Sequence, residues 1–279
     1  GLILREGNRT NAYVIAGQGD YANVNKFEFG SGDISTALNG TLTFTETVTS
    51  KADGTKTVGL VQLVEHPALD AASRGIQDAV KARGLKVTFD VQNAQADQSN
   101  LANIAQRFVS QEYPLIFAVA TPAAQTMANA AKNTPIVATA VTDYEAAKLV
   151  INKDKPGTNV TGSSDLNPIG AQLDLIMQFV PNAKTIGTIY NSSEINSQFQ
   201  VEILKKELAR YNVTLVEGTV SSVNDVQQVA QGLIGKIDAL YVPTDNIIAS
   251  AMPVLTKITT PAKVPVITGE EGPLHGGGL

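Results

Sequence analysis

A chain of 279 residues has room for two domains, and 43% hydrophobic content fits a globular protein with a sizeable core. A net charge of -5 with no basic tract argues against nucleic acid as a partner. Zero cysteines exclude disulfides and thiolate chemistry, two histidines (His66 and His275) leave too few ligands for a multi-histidine metal centre, and no apolar run is long enough to span a bilayer.

Residues 1–55 stand apart through their Gly, Asn and Thr content. Gly17-Gln18-Gly19-Asp20 and Gly30-Ser31-Gly32-Asp33 are turn signals. Residues 41–49 alternate at period two, as a half-exposed strand should, and 13–16 are a second strand candidate. This extension carries no recognisable chemistry, and no secretory leader is visible at its start.

From Lys56 the pattern changes to alternating strand and helix. Strands are expected over 57–64, 85–91, 115–120 and 135–140. Helices are expected over 67–83 (opened by Pro67 and closed by Gly84), 97–111 (capped by Asp97) and 123–132. Residues 142–157 form a charged crossover ending in Lys155-Pro156-Gly157. A short strand over 158–163 and a helix from Asn167-Pro168 to 180 follow. The order of stations then repeats. Lys56-Thr57-Val58-Gly59 is echoed by Lys184-Thr185-Ile186-Gly187, Val87-Thr88-Phe89 by Val213-Thr214-Leu215, 115–122 by 239–245, and Pro135-Ile136-Val137 by Pro265-Val266-Ile267. A helix over 247–258 and a strand over 264–268 complete the second series. The fold class this predicts is α/β: two similar doubly wound parallel-sheet domains, 56–160 and 161–279, joined by a hinge behind a β-rich N-terminal extension, 1–55. The second domain is expected to lack a helix after its last strand.

The stretch Leu115-Ile116-Phe117-Ala118-Val119-Ala120-Thr121-Pro122-Ala123-Ala124-Gln125 carries the clearest chemical signal. A buried strand runs into a helix whose N-cap is expected at Thr121 and whose first position is Pro122. Ala123 and Ala124 keep the helix end uncluttered, which leaves N–H groups and the positive end of the helix dipole open to a carboxylate or phosphate. An ordinary well-capped turn reads the same way. Ligands of open parallel sheets bind beyond the carboxyl ends of the strands, and two such domains facing one another would share a cleft. The loops there are Glu65-His66-Pro67, Thr121–Ala124 and Thr142-Asp143 from the first domain. The second supplies Asn191-Ser192-Ser193-Glu194, Thr244-Asp245-Asn246 and Gly269-Glu270-Glu271. Helix ends suit an anion and carboxylates suit a cation, so a zwitterionic amino acid fits both. The candidate ligand-binding residues are therefore Glu65, His66, Thr121, Ala123, Ala124, Asp143, Asn191, Ser193, Glu194, Asp245, Asn246 and Glu270, with Thr121 holding the carboxylate and Asp245 the ammonium group. Asp245-Asn246 could equally serve only as a helix cap, and Asn191–Glu194 only as a turn. Acid–base catalysis by Glu65-His66 is disfavoured, because no nucleophile elbow accompanies the pair. No nucleotide-binding glycine motif, cofactor site or metal site is visible.

With Glu65-His66-Pro67-Ala68-Leu69-Asp70, the segments Asp97-Gln98-Ser99-Asn100, Ala120–Gln125, Ala140-Val141-Thr142-Asp143, Asn159-Val160-Thr161-Gly162, Pro243-Thr244-Asp245-Asn246 and Glu270-Glu271-Gly272 resemble the ABC-importer substrate-binding proteins of the tryptophan and aromatic-amino-acid type. The resemblance covers Lys56 to Leu279. It implies a type I periplasmic-binding-protein fold, an extracytoplasmic location, an aromatic amino acid as ligand, an ABC permease as partner, a monomer, and hinges near 142–165 and beyond 268. Members are usually lipoproteins tethered through an N-terminal cysteine, which this chain lacks. The family pattern also continues past Gly277-Gly278-Leu279 and departs from this sequence before Lys56. A ligand-sensing domain of the same fold is the alternative. An amino-acid racemase on twin domains ranks last, since the cysteine pair of such enzymes is missing.

Overall fold

The computed structural model describes residues 2–4, 12–14 and 54–278. Strands β1 (Leu2–Leu4) and β2 (Ala12–Val14) pair antiparallel, with Ile3 opposite Tyr13. The strand expected at 13–16 overlaps β2. The strand expected at 41–49 and the turns at 17–20 and 30–33 lie outside the described residues.

Two parallel sheets follow, one in each of two compact units. The first unit ends at Asp165, and the second begins at Leu166 and includes His66–Ala68. The first sheet has the order β4-β3-β5-β6-β7, formed by β3 (Lys56–Gln62), β4 (Val87–Asn93), β5 (Ile116–Val119), β6 (Ile136–Val141) and β7 (Val160–Ser164). Its central strands are continuous apolar runs because both faces are covered: all four residues of β5 are buried, as are the last five of β3. Helix α1 (Pro67–Ala82) buries Leu69, Ala72, Ser73, Ile76, Ala79 and Val80, a stripe at helical spacing, and the chain leaves it through Gly84 at φ 64. Helix α2 (Gln98–Ser110) starts where expected, with the Asp97 carboxylate accepting from Asn100 N at 2.8 Å. It packs on α3 (Thr121–Ala130). The Phe108 ring of α2 lies over Gly59, where an added Cβ would fall 2.6 Å from the ring.

The second sheet has the order β11-β10-β8-β9, from β8 (Thr185–Asn191), β9 (Thr214–Val220), β10 (Ala239–Val242) and β11 (Val266–Thr268). Helices α4 (Ile169–Phe179) and α5 (Ile195–Leu208) pack together and close over a core of Leu173, Ile176, Ile186, Leu204 and Tyr241. Helix α6 (Val226–Leu233) packs on α8 (Met252–Thr259). The four repeating stations of the sequence thus become β3/β8, β4/β9, β5/β10 and β6/β11, in the same spatial order in both sheets. In each sheet the strand order reverses beside the first strand of its series, so the switch points lie at the ends of β3 and β5 and at the ends of β8 and β10.

The sequence-based boundaries shift in four places. Strand β7 pairs with β6 from Ile136↔Val160 to Val141↔Ser164, so the crossover comes at 165/166 rather than at 160/161. Asn167 does not cap α4: Pro168 is the cap residue, and Asn167 contributes its backbone carbonyl to Ile169 N. The single helix expected over 247–258 is two helices, α7 (Asn246–Ser250) and α8, broken at Ala251, because Pro253 cannot donate to a continuing helix and instead opens a new one. A short 3-10 helix, Gly272–Gly276, follows β11.

One irregularity sets the carboxyl edge of the first sheet. The β6–β7 register shifts between Ala138 and Val141, and Ala140 sits at φ 54. The Tyr144 hydroxyl pins this bulge by donating to Ala138 O (2.8 Å) and lying 3.1 Å from Ser163 O. Space for that contact exists because residue 162 is glycine: a Cβ there would come 1.8 Å from Ala138 O and 2.1 Å from the Tyr144 hydroxyl. Gly162→Ala is expected to cost at least about 2 kcal/mol by overpacking, and Tyr144→Phe about 1–2 kcal/mol. Urea unfolding checks both. Stability unchanged by either substitution would contradict this account of the bulge.

Candidate functional site

Strand β5 ends at Val119 and α3 begins at Thr121, so one residue makes the whole turn. That residue, Ala120, adopts φ 89 and ψ 152, a region that side chains avoid. The tightness corrects the expected cap. Thr121 is already helical, its hydroxyl makes no cap, and Ala120 takes the N-cap position. The Thr121 Oγ1 is buried, in a residue only 1% exposed, and has no hydrogen-bond partner among the described residues. Around it, Ala120 N donates to Thr139 O and Ala124 N to Ala120 O, both at 3.0 Å. Pro122 has no N–H, and the N–H groups of Thr121 and Ala123 have no intrahelical acceptor by position. The result is a helix N-terminus with a strained entry, two available backbone donors and an unused hydroxyl, walled by the fully buried Ala123 and Ala124.

The matching turn of the second unit has the opposite polarity. Asp245 N-caps α7, with Oδ1 accepting from Ile248 N at 2.9 Å. Its Oδ2 accepts from Asn191 N (2.6 Å) and Ser197 Oγ (2.7 Å). Both oxygens of the expected ammonium anchor are therefore engaged inside its own unit. The neighbouring Glu194 differs. Its Oε2 takes Asn246 Nδ2 (2.5 Å) and Asn196 Nδ2 (3.0 Å), while Oε1 is buried and has no partner among the described residues. Burial, then the nearby Asp245 charge, pushes the Glu194 carboxyl up to about 8, and burial likewise raises Asp245. Asn196 Nδ2 also reaches Thr244 O at 3.0 Å, and Gln200 holds the Thr244 backbone and hydroxyl.

The remaining candidates divide. Asn246 belongs to the Glu194 cluster, and its Oδ1 lies 3.3 Å from Nε2 of the buried His66. Asn191 folds back on itself, its Oδ1 accepting from Ser193 N and Oγ, and Ser193 is exposed. Asp143 is tied into its own loop by Glu145 N, Ala146 N and the Lys153 ammonium at 2.8 Å. Burial would raise its carboxyl, but those contacts together outweigh it and hold it low. Glu65 is exposed. Glu270 follows β11, its carbonyl accepting from Thr268 Oγ1. Sequence reasoning missed Asn196 and Gln200, whose roles depend on contacts to Thr244 48 and 44 residues away, and Asp165, whose Oδ1 is also buried without a partner among the described residues. Among the described residues no group of three or more His, Cys, Asp or Glu is arranged to hold a metal.

Two outcomes follow for the isolated protein. Thr121→Val replaces an unpartnered buried hydroxyl with a methyl of similar size, so ligand-free stability should rise, by up to about 1 kcal/mol; a fall would mean that the hydroxyl is satisfied. Glu194 has its folded pKa raised, so the folded state holds a proton that the unfolded chain releases near its ordinary value. Its contribution therefore favours the fold at low pH and is lost as pH climbs from about 4.5 to about 8. Glu194→Gln should flatten that part of the stability profile, read from melts between pH 5 and 8.5, and a profile identical to that of the unchanged protein would refute the assignment.

The model of the ABC transporter substrate binding protein family matches residues 57–279. A tyrosine-binding protein of Clostridioides difficile is 45% identical over 228 residues, 80% of this chain and 66% of its own length. The chain thus spans about two thirds of that relative. A conserved domain protein of Vibrio cholerae superposes with TM-score 0.79 at 39% identity, over 81% of this chain and 77% of its own. A Streptococcus pneumoniae ABC domain in complex with L-Trp superposes with TM-score 0.78 at 38% identity, over the same shares of the two chains. Two doubly wound units with the type I periplasmic-binding arrangement of strands, matched by the family model across nearly all of both, make the chain a member of the ABC transporter substrate-binding protein family.

Proposed function

We propose that the protein is the extracytoplasmic receptor of an ABC importer, that it binds an aromatic amino acid without transforming it, and that it hands the ligand to a membrane permease. The observation that carries this reading is that each unit, taken by itself, buries a polar group with no partner among the described residues. Thr121 at the α3 N-terminus suits an anion, and Glu194 Oε1 suits a cation. A zwitterion supplies both. On this reading the ammonium anchor is Glu194, and Asp245 orients the turn that carries it. The ligand class is supported by the tyrosine named for the C. difficile relative and the L-Trp bound to the S. pneumoniae domain.

The test is titration calorimetry with all twenty amino acids, with the ligand recovered and analysed afterwards. One-to-one binding of aromatic members without turnover is expected. A product of different mass or stereochemistry would instead indicate an enzyme, and silence across the panel would remove the reading. Glu194 adds a signature. An ammonium group arriving at a carboxyl that is protonated near neutrality expels its proton, so Kd should tighten as pH rises from 6 toward 8, with proton release measurable in buffers of different ionisation enthalpy. The groups facing Glu194 are Asp245, already hydrogen-bonded three times, and His66, which meets it only through Asn246. Glu194→Gln should cost at least tenfold in affinity, more than about 1.4 kcal/mol, and abolish the proton release. Unchanged affinity would return Glu194 to a purely structural role.

A further inference from the structure

Among the described residues of the first unit, Asp165 carries the one carboxylate oxygen that is shielded from water without a partner, although the residue as a whole is half-buried. It follows directly on β7, and its N–H donates to Val141 O at 3.2 Å, which fixes the residue at the carboxyl edge of the sheet. The Thr142 hydroxyl bonds to the carboxylate, but Oδ1 is shielded from water with no partner among the described residues. Burial pushes this carboxyl up to about 6, with the Thr142 hydroxyl and the residue's own N–H pulling it back only in part. The titratable neighbour is Tyr144, whose hydroxyl is committed to Ala138 O and Ser163 O.

Strand pairing places Asp165 at the same carboxyl edge of the sheet as the α3 N-terminus. Val119 lies beside Thr139, and Thr139 Oγ1 meets Ser163 Oγ at 3.2 Å, so the three form one row across β5, β6 and β7. Beyond that row β5 turns at Ala120 into α3 and β7 passes the bulge, so Thr121 and Asp165 both lie at this carboxyl edge. Two strand spacings separate β5 from β7, about 10 Å, which is close to the reach of a tyrosine from its carboxylate to its phenol oxygen. The two ends ask for different chemistry. The Thr121 end presents donors to an anion. An ionised carboxylate oxygen only accepts, so the Asp165 end calls for a donor.

We propose that Asp165 is a specificity-determining residue whose Oδ1 accepts the hydrogen bond offered by the far end of the aromatic ligand, a phenol O–H or an indole N–H, so that the site selects rings bearing a donor over a bare phenyl ring. This rests on the reading that the ligand is an aromatic amino acid. A buried acceptor left without a donor penalises phenylalanine, and such sites discriminate strongly against the analogue that lacks the polar group.

The experiment is calorimetric titration of tyrosine, tryptophan and phenylalanine into the full chain and into Asp165→Ala, with Asp165→Asn as the second variant should the first not fold. In the unchanged protein, tyrosine or tryptophan should bind at least about tenfold tighter than phenylalanine. In Asp165→Ala that ratio should fall to within about threefold, with phenylalanine affinity retained as an internal check on folding. Asp165→Asn should keep only part of the preference. Equal affinities in the unchanged protein, or a preference that survives Asp165→Ala, would overturn the assignment and leave the aromatic reading intact. So would loss of phenylalanine binding in a variant that still melts cooperatively, which would make Asp165 structural. Failure of all three amino acids to bind the unchanged protein would overturn the aromatic reading and this assignment together.

Discussion

A polar atom taken out of water must find a partner or destabilise the fold by roughly 1–3 kcal/mol, and more when it is charged. The architecture follows from where this chain meets that demand and where it does not. Through the strands, backbone groups are paired in parallel ladders, and the central strands β5 and β10 are apolar throughout. At the carboxyl edges the accounting changes. Thr121 Oγ1, Asp165 Oδ1 and Glu194 Oε1 are buried without partners among the described residues, and Ala120 is held in a backbone conformation that alanine resists. These three atoms and Ala120 lie on the side of the sheets where doubly wound proteins take their ligands.

The two units share a plan and differ in its chemistry. Each reverses strand order beside the first strand of its series, so each opens a crevice at an equivalent place. In the first unit the helix beyond the crevice starts with alanines and a proline, leaving backbone donors and a hydroxyl. In the second, the equivalent turn is Pro243-Thr244-Asp245-Asn246, braced by Glu194, Asn196, Ser197 and Gln200 from the start of α5. One strand plan, used in both units, thus ends in a turn rich in donors in the first and in a turn rich in carboxylates in the second.

The fold was largely legible in the sequence because it rests on local signals: apolar runs of strand length, Asp97 and Asp245 at helix starts, Gly84 at a helix end, and the repeat of four stations. The site was legible to the level of loops and less so to the level of atoms. Asp245 reads as a free carboxylate from its cap position, and its engagement depends on Asn191 N and Ser197 Oγ, 54 and 48 residues away. The same long-range pairing leaves Glu194, not Asp245, with an oxygen to spare. Thr121 reads as a cap because strand-to-helix turns usually need more than one residue, and only the conformation of Ala120 reveals that its hydroxyl is idle. Asp165 gave no signal, since the strand expected over 158–163 stops short of it and only the pairing of β7 with β6 carries the sheet as far as its neighbour Ser164.

The clamp on Thr244 has a consequence for the cost of recognition. Gln200 grips the Thr244 N–H, carbonyl and hydroxyl, and Asn196 adds a second bond to the same carbonyl. These side chains are buried and already confined to single rotamers by their partners. On the reading proposed above, the turn is ordered before a ligand arrives, so little of the interaction energy is consumed in freezing side chains. The rigidity of the turn also narrows the shapes it accommodates, in contrast to the first unit, where the carboxyl edge is built on a bulge and a strained alanine.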